Sequence, residues 1–346
     1  MIKFTVFDVG RGSSVLVELP DKGDGVQRLG VIDCYSGQSA EGPLLTRLNE
    51  IEKASNGNFS IEFFILTHLH TDHFLGIGDI LRRHGSRIRC FYDPGIDPRD
   101  LFVTVPTDEA MDKRARRELR AISDFKNRHP SSIHAISSPD LCIYCDDLNG
   151  VDIRSVAPEG MMLDGVKKVL QQYILKLKRA LEMGESLTHI SQIAARGYDL
   201  NKTSSAIAVT YSGMTFLLGG DVLNQTWKII ADGGNLRKAD VVLLSHHGAA
   251  NAFPEKLWAS IQNANGRTII SGRGRGQPAP SVLNYLRRRG ASVWTTNIVK
   301  SRSGFDTVHS YIVAFHYGAD AYSNVTRGNV ICSMSSEVEI TGPRLL

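Results

Sequence analysis

The feature that most constrains this chain is Thr67-His68-Leu69-His70-Thr71-Asp72-His73, which directly follows the apolar run Phe63-Phe64-Ile65-Leu66. An apolar β-type run ending in three imidazoles and a carboxylate makes a poor core, because each buried polar side chain needs its own partner. The same residues make good metal ligands, since neutral imidazole and carboxylate oxygen suit borderline first-row ions such as Zn²⁺. Three of the chain's 11 histidines fall within these six positions, beside an aspartate. The H-x-H-x-D-H spacing lets His68 and His70 grip one ion as the strand ends, while Asp72 and His73, further round the turn, grip a second.

Other segments fit a two-ion site. Asp221 closes the apolar run Leu217-Leu218-Gly219-Gly220. The two glycines permit the close backbone approach that a crowded site needs, and a carboxylate there can be shared by two ions. His246-His247-Gly248 follows Asp240-Val241-Val242-Leu243-Leu244-Ser245, a second buried-type strand. Neighbours on a strand point to opposite faces, so one of the two histidines is expected to bind metal and the other to face substrate. Together with Phe7-Asp8-Val9-Gly10-Arg11-Gly12 and Val31-Ile32-Asp33-Cys34, these segments resemble, in order, the motifs of the metallo-β-lactamase fold superfamily. Within it, they resemble the branch containing the DNA-uptake protein ComEC and its relatives.

The resemblance implies an α/β (α+β) fold, a four-layer αββα sandwich, holding two divalent ions, zinc or alternatively manganese. It implies the metal ligands His68, His70, Asp72, His73, Asp221 and His247, with Asp72 and His246 as catalytic residues. His246 would bind a phosphoryl oxygen or protonate the leaving group; the roles of His246 and His247 can be exchanged on sequence alone. Thioesterases and β-lactamases of this fold usually carry a further ligand histidine between the H-x-H-x-D-H motif and the bridging aspartate, often after glycine. Here His84, His129, His134 and His189 fall in that interval and none follows glycine. In its place, Asn201-Lys202-Thr203-Ser204-Ser205 resembles the N-x-x-S element of the ComEC-like branch, which marks Asn201 and Ser204 as substrate-binding candidates. The chain departs from that branch in having His70 where aspartate is usual. It also reads Gln277-Pro278-Ala279-Pro280-Ser281 where H-P-S is usual. Arg273 and Arg275, in a glycine-interleaved loop, are candidates for supplying positive charge to a phosphate.

Composition sets the outer bounds. The chain's 346 residues are 42% hydrophobic and 22% charged, ample to bury a core. No apolar stretch is long enough to span a bilayer, and Met1–Phe7 reads as a strand rather than a secretion signal. The expectation is a cytoplasmic protein that does not engage membranes. Its 5 cysteines are expected as reduced thiols, including those of Cys142-Ile143-Tyr144-Cys145. The net charge of +4 mildly favours an anionic partner.

The layout expected is one metallo-β-lactamase-like domain over 1–346 with a helical insert at about 106–200. Strands are expected at 3–8, 14–19, 28–34, 87–92, 206–211, 241–244, 268–271, 292–295, 311–315 and 329–332. Helices are expected at 44–51, 74–84, 255–261 and 281–289. In the insert, 106–129 reads as a charged helix. Val166, Val169, Leu170, Tyr173, Ile174, Leu177 and Leu181 recur at helical spacing, opposite Lys167, Lys168, Lys176 and Lys178. These readings converge on a binuclear hydrolase of phosphodiester bonds, with DNA or RNA as substrate. A small phosphodiester such as a cyclic nucleotide or a phosphocholine-type ester is the alternative substrate. A metal-stabilised regulatory or binding module is the alternative outside enzymes. No protein partner is identified by the sequence.

Overall fold

A computed structural model describes all residues except 11, 38–40, 104–108, 159, 185–198, 273–276, 297–329, 336 and 343–346. In chain order, its first half runs β1 Ile2–Val6, β2 Ser14–Glu18, β3 Gln27–Cys34, α1 Gly42–Ala54, β4 Phe59–Ile65, α2 Thr71–Phe74, α3 Ile77–His84, β5 Ile88–Asp93, α4 Glu109–Arg128, β6 Ile133–Ala135, β7 Cys142–Asp146, β8 Val151–Ser155 and α5 Gly160–Glu182. The second half runs β9 Ile207–Tyr211, β10 Met214–Leu218, α6 Asn224–Asp232, β11 Ala239–Leu243, α7 Trp258–Ile261, β12 Gln262–Ile270, α8 Pro280–Arg288, β13 Ser292–Thr295, β14 Val330–Met334 and β15 Val338–Thr341.

The strands form two sheets, ordered β15-β14-β1-β2-β3-β4-β5-β6 and β13-β12-β11-β10-β9-β8-β7. In each, an antiparallel part (β15 to β3; β7 to β10) continues into a parallel part (β3 to β6; β10 to β13). The central strand β4, Phe-Ser-Ile-Glu-Phe-Phe-Ile, is buried at every position, as expected for a parallel strand covered on both faces. Phe4, Phe63, Ile153, Phe216 and Val241 fill the space between the sheets. The outer face of the first sheet packs on α1, α3, α4 and α5 through residues such as Leu48, Ile80, Leu119 and Leu170. The outer face of the second packs on α6, α7 and α8 through Trp227, Trp258 and Leu283. This is the expected four-layer αββα sandwich.

Phe4 and Phe216 meet edge-to-face across the two sheets, ring centres 4.5 Å apart, and both are fully buried. Truncating Phe216 to alanine is expected to destabilise the protein by about 3–5 kcal/mol, read as a lower denaturant midpoint. A loss under about 1 kcal/mol would show that this ring is not part of the inter-sheet core.

Three expectations are revised. Residues 106–200, expected as a helical insert, also supply β6 to the first sheet and β7 and β8 to the second, leaving α4 and α5 as the α-helical additions among the described residues. The helix expected over 74–84 begins later, as α3 at Ile77, because Gly76 adopts φ +139 between it and Phe74, the last residue of α2. A Cβ there would lie 2.8 Å from the Ser36 side chain. Cys142 and Cys145 are joined in a disulfide, whereas Cys34, Cys90 and Cys332 are free thiols. Residues three apart on a regular strand face opposite ways. The register shift between Cys142 and Tyr144 absorbs one residue, so both sulfurs reach the solvent face. The strand expected at 311–315 lies outside the described residues, and no helix among those described is long and apolar enough to cross a membrane.

Candidate metal centre

The carboxyl ends of strands from both sheets meet at one place. From the first sheet, β3 ends in Asp33 and Cys34, and β4 runs into Thr67–His73. From the second, β10 leads to Asp221, β11 to His246 and His247, and β12 to Ser271. The sheets are tied together here: the Ser205 amide donates to the Thr67 carbonyl at 3.0 Å, and the Ser271 hydroxyl donates to the Gly12 carbonyl at 2.7 Å.

Two clusters of donor atoms result. His68, His70 and Asp221 form one, and Asp72, His73 and His247 the other; within each, the donor atoms lie within 4.8 Å of one another. Asp221 stands between them. Its Oδ2 is 3.6 Å from His68 Nε2 and its Oδ1 is 3.3 Å from His73 Nε2. The orientation of the backbone supports this position: the Asp221 amide donates to Ser204 Oγ at 2.8 Å, and Gly220 before it has φ +50.

The rings are held from behind. His73 Nδ1 is 2.7 Å from Asp33 Oδ2, and Asp33 Oδ1 accepts the Thr67 amide at 2.8 Å. His247 Nδ1 is 3.0 Å from the Ser271 carbonyl, and His68 Nδ1 is 3.2 Å from Thr67 Oγ1. Their Nε2 atoms therefore face the centre. Partners of this kind fix the tautomer and plane of a ligating imidazole. His73 Nε2, His247 Nε2 and Asp221 Oδ2 are buried without a hydrogen-bond partner among the described residues. Each such atom costs about 1–3 kcal/mol unless something satisfies it, and divalent cations fit this convergent N/O set.

The electrostatics agree. Burial pulls the His68 imidazole well below its usual pKa, with His73 adding to the shift. Burial likewise lowers His70, favouring the neutral form that ligates. At His73 burial acts against the charge, but Asp221 and Asp33 outweigh it and raise the ring well above its usual range. At Asp221 burial favours the neutral acid, yet His73 and His68 hold the carboxyl well below its ordinary value. A buried group with three aspartates nearby calls for compensating positive charge.

His246 and His247 do not continue the strand, so alternation does not separate them. Both occupy a tight turn in left-handed backbone, φ 48 and 56, and both rings face the centre. His247 is buried, with Nε2 3.5 Å from Asp72 Oδ2. His246 is more open, with Nε2 3.6 Å from Asp221 Oδ2. Non-glycine residues seldom adopt this backbone, and where they do it often marks a working site.

Of the substrate-binding candidates, Asn201 is buried beside the site loop, and its Oδ1 has no hydrogen-bond partner among the described residues. Ser204 is fully buried and its hydroxyl receives the Asp221 amide, so it holds the aspartate in place. Arg273 and Arg275 lie outside the described residues. Asp33, Thr67 and Ser271 were not among the expected site residues. Only Asp33 left a trace in the sequence, as a lone carboxylate in the apolar run Val31–Cys34.

Residues 7–141 match the family model of the metallo-beta-lactamase superfamily. No curated protein sequence matches the chain significantly. Among solved structures, a variant of CmlA beta-hydroxylase aligns at 11% identity and TM-score 0.41, covering 85% of this chain and 52% of its own. The chain thus spans about half of that protein's length. A diphosphatase of the PhnP family aligns at 11% identity and TM-score 0.34, covering 86% and 87%. Unliganded yeast PDE1 aligns at 12% identity and TM-score 0.37, covering 86% and 98%.

Proposed function

We propose that this chain is a binuclear metal-dependent hydrolase of the ComEC-like branch that cleaves phosphodiester bonds in DNA or RNA. The observation that carries the proposal is Asp221 standing between two donor groups, with one oxygen toward each. His68, His70 and Asp221 would hold one ion and Asp72, His73, His247 and Asp221 the other, zinc being preferred over manganese for this ligand set. Bound divalent ions supply Lewis-acid activation of water and of the phosphoryl group.

The protein's own part is positioning and proton handling. Asp33 and the Ser271 carbonyl keep His73 and His247 in the tautomer that turns Nε2 inward. Asp221 sets the relation between the two donor groups. His246 is more open than His68 and His247 and faces Asp221, which suits it to hold a phosphoryl oxygen or to pass a proton to the departing alkoxide.

The polymer preference rests on the charge of α5, which packs against the turn leading into the site. Helix α5 shares a core with Leu200 through Leu170, Tyr173 and Ile174, and Leu200 opens the turn leading to Asn201 and Ser204. Lys168, Lys176 and Lys178 of α5 are exposed. Metal-loaded protein offered single-stranded DNA, plasmid, RNA and a chromogenic diester is expected to cleave polymer. Oligonucleotide affinity should fall by roughly 0.7–0.9 log units per log unit of salt for each phosphate contacted. Replacing the three lysines by glutamine should flatten that dependence and spare the chromogenic diester. Diester hydrolysis without oligonucleotide binding at low salt would replace nucleic acid by a small phosphodiester. Two bound metals with no hydrolysis of any diester would point to a binding or regulatory module.

A further inference from the structure

Cys142 and Cys145 stand on β7, the last strand in the order of its sheet. Between them, Ile143 is buried in the space separating the sheets and Tyr144 packs against that core, while both cysteines are exposed. On the neighbouring β8, buried Val151 and Ile153 alternate with Asp152 and Arg154, so these two share the outer face with the sulfurs. Helices α6, α7 and α8 cover that face further along the sheet. Among the described residues, none from β7 or β8 belongs to the core they enclose.

A disulfide placed here holds little together. Its cysteines are three positions apart, and cross-links closing the shortest loops remove the least entropy from the unfolded chain. The strand is secured by other means: the Tyr92 hydroxyl donates to the Ile143 carbonyl at 3.0 Å, and Lys22 Nζ lies 3.0 Å from Asp146 Oδ2. The fold therefore keeps β7 in place with the bond open or closed. Cys34 and Cys332 are built differently. Both are buried, and burial pushes their thiols up, Cys332 to about 12, which suppresses the thiolate that exchange requires.

The two exposed sulfurs also differ from each other. Cys145 Sγ has Arg154 Nη2 at 4.0 Å and Asp152 Oδ1 at 3.2 Å. Asp152 and Asp140 are each paired with both Arg154 and Arg237, so the carboxylates beside the sulfur are balanced by guanidinium groups. A guanidinium next to a sulfur favours its thiolate, and a thiol of lower pKa leaves faster. Once protonated, the Cys145 thiol has Asp152 Oδ1 within reach as an acceptor.

We propose that Cys142 and Cys145 form a reversible thiol–disulfide exchange site for low-molecular-weight thiols, distinct from the metal centre. The incoming thiolate attacks Cys142 Sγ and forms a mixed disulfide, while the Cys142–Cys145 bond breaks and its electron pair leaves on Cys145 Sγ beside Arg154. A second small thiolate attacks the small-molecule sulfur of the mixed disulfide, and Cys142 leaves as thiolate. Two small thiols are thereby oxidised to one small disulfide, and their protons end on the two cysteines. The same steps in reverse, with the small disulfide as oxidant, close the bond. This site stands independently of the phosphodiesterase reading.

The test is equilibration of the native protein in buffers of glutathione and glutathione disulfide, followed by acid quench, alkylation and peptide mass mapping. Both forms are expected across the series, shifting from disulfide to dithiol as the share of glutathione rises, with an unchanged far-ultraviolet dichroism spectrum. Early in the reduction the glutathione adduct should map to Cys142, and Arg154→Gln should shift it toward Cys145. The Cys142→Ser/Cys145→Ser variant should lose every glutathione-dependent mass change. A bond that stays closed in excess glutathione until the chain unfolds would overturn the proposal, because structural disulfides resist the glutathione pool. Thiols that stay free in glutathione disulfide would also overturn it, as would loss of the native spectrum on reduction. An adduct that persists in the double variant would assign the exchange to Cys90 instead, and an early wild-type adduct on Cys145 would overturn the direction of attack.

Discussion

Asp221→Asn is expected to lower diester hydrolysis by at least about 10²–10³-fold, the loss typical when one positioned group at a reacting centre is removed. The side chain addresses both donor groups at once, Oδ1 toward His73 and Oδ2 toward His68 and His246. An amide of the same size keeps one oxygen, but its nitrogen cannot ligate, so one of the two groups loses a donor. The backbone around it is secured independently: the Asp221 amide donates to Ser204 Oγ, and the His246 amide donates to the Gly220 carbonyl at 2.8 Å. The variant should therefore fold, with an unchanged far-ultraviolet dichroism spectrum, and bind fewer than two metals by elemental analysis. Asp72→Ala should cost activity on a similar scale while sparing the His68/His70 group. Two metals and near wild-type turnover in Asp221→Asn would remove the bridging role on which the binuclear proposal rests.

The sequence exposed the parts of this centre that are locally improbable. Three imidazoles and a carboxylate at the end of an apolar strand have no ordinary structural explanation, and neither has a Gly-Gly-Asp closing another. The roles of His246 and His247 were hidden, because the strand alternation used to separate them ends at Leu243. The left-handed turn that follows brings both rings to the centre. Asp33 was hidden for a different reason. One aspartate in Val31-Ile32-Asp33-Cys34 shows its purpose only when β3 and β4 lie side by side and Thr67 and His73 arrive from 34 and 40 residues away.

The fold shows the same division. The apolar β3 carries its own pattern and lies at Gln27–Cys34 against the expected 28–34, whereas the amphipathic run 166–181 marks only the later part of α5, which begins at Gly160. Strand β6, with three residues, and the bulged β7 carry little. Their strand state is set by pairing with β5 and β8 rather than by their own residues. The extra residue that distorts the β7 pattern also brings Cys142 and Cys145 to one face, which a reading based on cysteine number and spacing could not anticipate.

Gly12 belongs to the motif near the chain's start, far in sequence from every proposed ligand, and Gly12→Ala is expected to reduce turnover by about 10²-fold. Its carbonyl accepts the Ser271 hydroxyl, and the next amide, of Ser13, donates to the Asp72 carbonyl at 3.0 Å. The loop therefore touches the turn that carries Asp72 and the residue whose carbonyl holds His247. A Cβ on Gly12 would sit 2.5 Å from the Asp72 carbonyl oxygen and against the Tyr35 ring. Neither backbone oxygen nor aromatic ring can yield that space without moving the turn, and a displacement near 1 Å at a catalytic constellation can cost about 10²-fold. Overpacking of this kind typically destabilises by about 1–3 kcal/mol, so the variant should remain folded while its Asp72/His73/His247 site binds metal more weakly. Gly10→Ala is the control. Gly10 has φ +78 but nothing within 4 Å of an added Cβ, so alanine there strains the backbone by roughly 1–2 kcal/mol without pressing on Asp72. Metal titration and turnover of the two variants separate close approach from backbone strain. Equal effects at both positions, or wild-type metal affinity in Gly12→Ala, would mean that the loop does not set the position of Asp72.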